Sequence, residues 1–199
     1  MGTVLDLAKF ALFIFFGLFV PGYVIATRIN LADKSLKIFL SLALGIVLLS
    51  LAGFVGIYFV YALILITLVF FIRRLNTSEF TSIKIPKINY PALFILLIII
   101  LGVIFQNGLT FQSGRLYDFG IGYWGPLGHD GVWHQALVNQ IINGLPVLNP
   151  GLSGTALVNY HYFYDLLVAL TARLTGIAPV ELIFRFYPGL FSILLGVGT

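Results

Sequence analysis

From Leu36 to Ile72 the chain is almost unbroken apolar sequence, with Lys37 as its only charge, and this run decides what the chain can fold into. A membrane-crossing helix uses about 20 apolar residues, so the run is too long for one span and holds two. The turn between them is expected near Gly53 to Gly56. The rest of the chain agrees, since 60% of it is hydrophobic and 9% charged, against roughly 25% charged in an ordinary soluble domain. The expected fold class is therefore all-α: a polytopic transmembrane helical protein of about five to six spans, with one large extracytoplasmic loop carrying a surface helix.

Other spans follow from the same criterion. Val4 to Thr27 forms the first, kinked at Pro21-Gly22, a pair tolerated in a membrane helix. A cleaved leader fits this stretch less well, because Asp6 offsets Lys9 and no basic segment precedes the apolar run. Arg28 to Lys37 is a basic connector, Arg73 to Tyr90 a polar and basic one, and Ala92 to Leu109 a fourth span. Three segments result: 1–109 with four transmembrane helices, 110–156 as the loop, and 157–199 with a fifth, amphipathic span over Leu157 to Thr175. A last helix is expected to begin at Tyr187. Thirteen residues are too few to cross, so this reading takes the chain as the N-terminal portion of a longer protein.

Cysteine is absent, which removes disulfides and thiolate metal sites. The net charge of +4 comes from basic residues scattered at helix ends, not gathered in a stripe, so nucleic acid is not an expected partner and membrane lipids are. Their distribution sets an orientation. With two helices between Leu36 and Ile72, the connectors bearing Arg28, Lys34, Lys37, Arg73, Arg74, Lys84 and Lys87 share one side, the cytoplasmic one by the positive-inside rule. Arg173 and Arg185 fall on that side as well, while Lys9 and Arg115 lie outside with the N-terminus and the loop. The localisation expected is an integral protein of the plasma or inner membrane.

The loop and its borders hold all three histidines, both tryptophans and Asp118, Asp130 and Asp165. Gly131 to Asn143 reads as an amphipathic helix on the membrane surface, with Trp133, Ala136, Leu137 and Ile141 on one face. Asp130 stands at its start with His134 four residues on, so both point to one side. Asp130 has two compatible readings: a helix N-cap, or a carboxylate presented to a ligand, metal or proton. Trp124 and Trp133 are residue types that anchor at the membrane interface. In Asn159-Tyr160-His161-Tyr162-Phe163-Tyr164-Asp165, His161 and Asp165 are again four apart. An aspartate inside a membrane helix is costly unless it faces protein or water, so it reads as functional, with an interhelical hydrogen bond as the structural alternative. Asp130, His134, His161 and Asp165 are chemically suited to a divalent metal, although no spacing is a metal signature.

Taken in order, His129-Asp130-Gly131-Val132-Trp133-His134, then Gly144-Leu145-Pro146-Val147-Leu148-Asn149-Pro150, then Asn159 to Leu167, Gly176 and Arg185-Phe186-Tyr187-Pro188 resemble the first extracytoplasmic loop of the GT-C class of membrane glycosyltransferases. That class includes protein mannosyltransferases and the aminoarabinose transferases of lipid A. The tyrosine-rich part also resembles membrane proteins known for an Asn-Tyr-Tyr-Tyr motif. The resemblance runs from about Gly128 to the C-terminus and implies transfer of a sugar from a polyprenyl-phosphate donor to an acceptor on the extracytoplasmic side. It makes Asp130 the catalytic or metal-binding carboxylate. Substrate-binding candidates beside it are Arg115, His134, Tyr160, His161 and Asp165, with Arg115 as the basic residue near the leaving phosphate. Two other classes compete: a transporter or lipid flippase using His161 and Asp165 as a proton or ion relay, and a non-catalytic membrane scaffold.

Overall fold

The structure is a computed structural model and describes residues 3–29, 34–74, 90–125 and 127–198. Lys84 and Lys87, with most of the second basic connector, lie outside the described residues. Among the described residues five helices are long and apolar enough to cross a membrane, and the chain is an all-α polytopic membrane protein. Helix α1 spans Val4–Ala26, α2 Lys34–Val55, α3 Ile57–Arg74 and α4 Tyr90–Asn107. After α4 come a short antiparallel hairpin, β1 Arg115–Tyr117 with β2 Gly120–Gly122, and helices α5 Leu127–Asn143 and α6 Phe163–Thr175. Helix α7 covers residues 179–198 without a break.

Each boundary has a local cause. Thr3 caps α1: its hydroxyl accepts from the Asp6 amide (3.1 Å), while the Asp6 carboxylate accepts from the Thr3 amide (2.9 Å). Helices α2 and α3 part at Gly56, whose φ of +146° only glycine adopts comfortably. The expected kink at Pro21-Gly22 takes another form. Residues Ile14–Phe19 form a π-helical turn just before it and the helix continues through. Helix α7 repeats the device, with a π-helical Leu182–Phe186 ahead of Pro188-Gly189. A widened turn accommodates the missing N–H and the ring of proline without ending the helix.

Close approach holds α1 on α2. A Cβ on Gly22 would lie 1.7 Å from the Ser41 carbonyl oxygen, and one on Gly45 1.8 Å from that of Leu18. Small residues that let membrane helices touch backbone to backbone recover packing that lipid cannot provide. Helix α7 packs on α4 through a hydrogen bond from Asn107 Nδ2 to Ser192 Oγ (2.9 Å), and on α1 through the rings of Phe10, Phe186 and Tyr187. Helix α4 is otherwise open to lipid, with only 6% of its span buried.

The C-terminal third departs from the sequence reading. Only Phe163–Thr175 of the expected fifth span is helical, and thirteen residues at 1.5 Å each fall well short of a bilayer core of about 30 Å. Helix α6 lies against the end of α2 nearest Gly56: Leu170 fills the space beside Gly53, and Tyr162 packs on Phe54 at 5.5 Å. The last crossing starts at Pro179, not Tyr187, so the expected short sixth helix is instead a full candidate span, Pro179–Gly196. It runs antiparallel to α4, with Ser192 beside Asn107 and Gly196 beside Ile99.

These changes move two arginines. Arg173 lines a crevice with Gly56, and Arg185 donates from Nη2 to the Ser113 carbonyl oxygen (3.1 Å). Both therefore lie at the same end of the bundle as the loop, and the expectation that they face the opposite side is corrected. Counting α6 as a crossing had inverted everything after it.

Candidate functional site

Helix α5 begins at Leu127, earlier than the expected Gly131, and buries Gly131, Leu137, Val138 and Ile141 against α6 and α7. Gly131 is needed there, since a Cβ would meet the Phe184 ring at 2.8 Å. With the start moved, Asp130 is the fourth residue of the helix and not its N-cap. Its side chain is 72% exposed and pairs with His129 Nδ1 at 3.1 Å, an exposed contact that contributes little.

One turn further on, His134 Nδ1 lies 2.8 Å from Asp165 Oδ1. Asp165 sits in the first turn of α6 and is 1% exposed. A carboxylate only accepts, so Nδ1 carries the proton and Nε2 is left to accept one. The second oxygen of Asp165, Oδ2, is buried without a hydrogen-bond partner among the described residues. The hydrogen bond to Asp165 raises the His134 pKa above its ordinary value. Partial burial opposes the shift, and the charges of Asp165 and Asp130 add to it. Tyr164 stacks edge-on to the imidazole at 6.3 Å and donates to the Ile183 carbonyl oxygen (3.2 Å); burial pushes its hydroxyl pKa up.

Sequence spacing had paired His161 with Asp165. Residues 157–162 are not helical and Asn159 has a φ of +57°, so His161 leaves that face and is corrected. Its ring lies on Tyr160 at 5.0 Å, and Tyr160 meets Trp133 edge-on at 5.8 Å. Tyr160 and His161 thus form an aromatic ledge beside α5, apart from the Asp165 carboxylate. Among the described residues no three imidazole or carboxylate groups come together as a metal site. The candidate set Asp130, His134 and His161 is not gathered, and no chemical step here is routed through a metal.

A sizeable cavity lies elsewhere. About 490 Å³ in volume, it runs between α1 and α7, walled by Phe10, Ile14, Phe186 and Leu190, with Arg115, Arg185 and Glu181 at its polar end. Of the candidate catalytic, substrate and metal residues named from sequence, Arg115 alone lines it. Glu181 and Arg185 form an ion pair of 3.3 Å between side chains only 10–11% exposed, and Arg185 also holds the Ser113 carbonyl. Sequence reasoning missed this pair, although an acid four residues before a base within an apolar stretch is a readable signal. It missed Tyr123 too, whose hydroxyl donates to Gln135 Oε1 (2.6 Å) and whose ring packs on Phe184. Phe184 joins the two regions, touching Gly131 on α5 while its neighbour Arg185 faces the cavity.

The arrangement therefore offers a carboxylate and an oriented imidazole on one surface, and a long apolar cavity ending in arginine beside it. Comparison of the chain with protein-family models, curated proteins and solved structures finds no match.

Proposed function

We propose that the chain is part of a membrane glycosyltransferase that takes a sugar from a polyprenyl-phosphate donor and passes it to an acceptor hydroxyl on the extracytoplasmic side. The observation that carries this reading is the cavity between α1 and α7, apolar along its length and closed by Arg115 and Arg185, at the same end of the bundle as Asp130, His134 and Asp165. An isoprenoid chain suits the apolar walls, and a phosphate suits the arginines. In this reading the acceptor hydroxyl gives its proton to Asp130 as its oxygen bonds to the anomeric carbon. The bond from that carbon to the phosphate oxygen breaks, and the phosphate leaves with the electron pair, its charge met by Arg115, while Arg185 stays paired with Glu181. His134, held by Asp165, and the ledge of Tyr160 and His161 border the acceptor.

Sidedness follows from charge. Seven of the eleven basic residues (Arg28, Lys34, Lys37, Arg73, Arg74, Lys84, Lys87) belong to the connectors after α1 and α3, and four (Lys9, Arg115, Arg173, Arg185) to the loop's end. The excess marks the connector side as cytoplasmic even with Arg173 and Arg185 reassigned.

The test is transfer of labelled sugar from polyprenyl-phosphate donors in membranes carrying the protein, with Asp130→Asn and Arg115→Gln beside it. Asp130→Asn should cut the rate by about 100-fold or more at equal membrane insertion, and Arg115→Gln should raise the donor KM. Absence of transfer from any such donor by the protein in its native membrane would sink the reading.

A further inference from the structure

Apart from Arg115, the β1–β2 hairpin plays no part in the chemistry above, yet it carries exposed apolar side chains. Its register pairs Leu116 with Ile121 and Arg115 with Gly122. Side chains alternate along a strand, so Leu116 and Ile121 share one face while Arg115 and Tyr117 occupy the other. Leu116 is 83% exposed and Phe119, at the turn, 84%. A two-stranded ribbon is at best marginal in water, and among the described residues nothing covers Leu116.

We infer that the hairpin lies flat in the lipid interface on the loop's side of the membrane, with Leu116 and Ile121 turned to the acyl chains and Arg115 at the level of the lipid phosphates. Continuity with the lipid-facing surface selects this occupant. Exposed Phe105, Leu109 and Phe111 lead from the open face of α4 to the hairpin. Trp124 stands at the hairpin's base, an indole of the kind that settles at the boundary of hydrocarbon and headgroups. Asp118 fixes the orientation: a carboxylate at the turn cannot enter hydrocarbon, so the ribbon lies along the interface and does not dip tip first.

The base of the hairpin is tied to the spans. The Gly114 amide donates to the Gly122 carbonyl oxygen (2.8 Å), the Trp124 amide to Ser113 Oγ (3.0 Å), and Ser113 is held in turn by Arg185. Gly114, at a φ of +71°, lies against Phe184 with no room for a side chain. The hairpin's height relative to α7 is thereby set.

Absence of cysteine makes the test direct. A nitroxide is attached singly at Leu116→Cys, Ile121→Cys and Asp118→Cys, with Phe94→Cys on the lipid-facing side of α4 as reference, in the whole protein reconstituted into phosphatidylethanolamine–phosphatidylglycerol vesicles. Collision with oxygen should dominate over a water-soluble nickel chelate at 116 and 121, as at 94, and the order should reverse at 118. Chelate dominance at 116 and 121 would place the hairpin in water, and protection from both reagents would mean that protein covers it; either overturns the inference.

Discussion

Asp165 accepts one hydrogen bond, from His134, and the rest of its carboxylate is enclosed without a partner. A buried charge so placed depends heavily on the one cation that can form beside it. Asp165→Asn keeps the shape and an accepting oxygen but removes the charge, and a hydrogen bond to a charged group contributes about 1.5–3 kcal/mol. The sign of its pH dependence is fixed, because His134 has a folded pKa above the ordinary 6.5. Its stabilisation is complete below that unfolded value and is lost as pH rises through the raised folded one. Thermal unfolding in detergent should therefore show the largest gap between the native protein and Asp165→Asn at acid pH, narrowing toward neutrality and above. A gap that widens with pH would contradict the pairing.

Glycines set the contacts between elements. Gly22 and Gly45 bring α1 and α2 together, and Gly56 turns α2 into α3 with a φ that costs another residue about 1–3 kcal/mol. Gly22→Ala and Gly56→Ala should each lower the unfolding midpoint, whereas Gly102→Ala, on open α4 with nothing within 4 Å, should change stability by less than about 0.5 kcal/mol. Between α4 and α7, a double-mutant cycle on Asn107→Ala and Ser192→Ala should return a coupling of about 0.6–1.7 kcal/mol, the range of hydrogen bonds between membrane helices.

Elements such as α2, α3 and α4 were legible because length and apolarity alone define a span, and their shared turn announced itself as glycine. The short α6 and the start of α7 were not. Leu157 and Val158 extend the apolar pattern ahead of α6, but Asn159 in the left-handed region breaks the helix there, and Pro188 resembles a helix start when it is interior, carried by the π-helical turn before it. The hairpin was hidden because its strands are three residues long and its alternation too brief to register.

At the scale of the molecule, the five candidate crossings among the described residues put Thr3, the loop, Arg173 and Arg185 at one end and Arg28, Arg73 and Arg74 at the other. Single cysteines at Ser153 in the loop and at Arg74 at the end of α3 should react oppositely with an impermeant thiol reagent applied to intact cells, Ser153→Cys labelling and Arg74→Cys not. The site was half legible: Asp130 and His134 lie one turn apart on a helix as spacing implied, and Asp165 joins them, but from a second helix. His161 does not, because periodicity says nothing once the chain leaves the helix. The cavity could not be foreseen, since it forms between the first and last helices and no local pattern reports a contact across that distance.

Occupation of this cavity by the donor lipid is the central claim, and a photoreactive polyprenyl phosphate, cross-linked in native membranes and mapped by mass spectrometry, tests it most directly. The account predicts adducts on the cavity walls of α1 and α7, such as Leu7, Ala11 and Leu190, reduced by Arg115→Gln. Adducts spread along lipid-facing α4 with none in the cavity, and indifferent to Arg115, would contradict it.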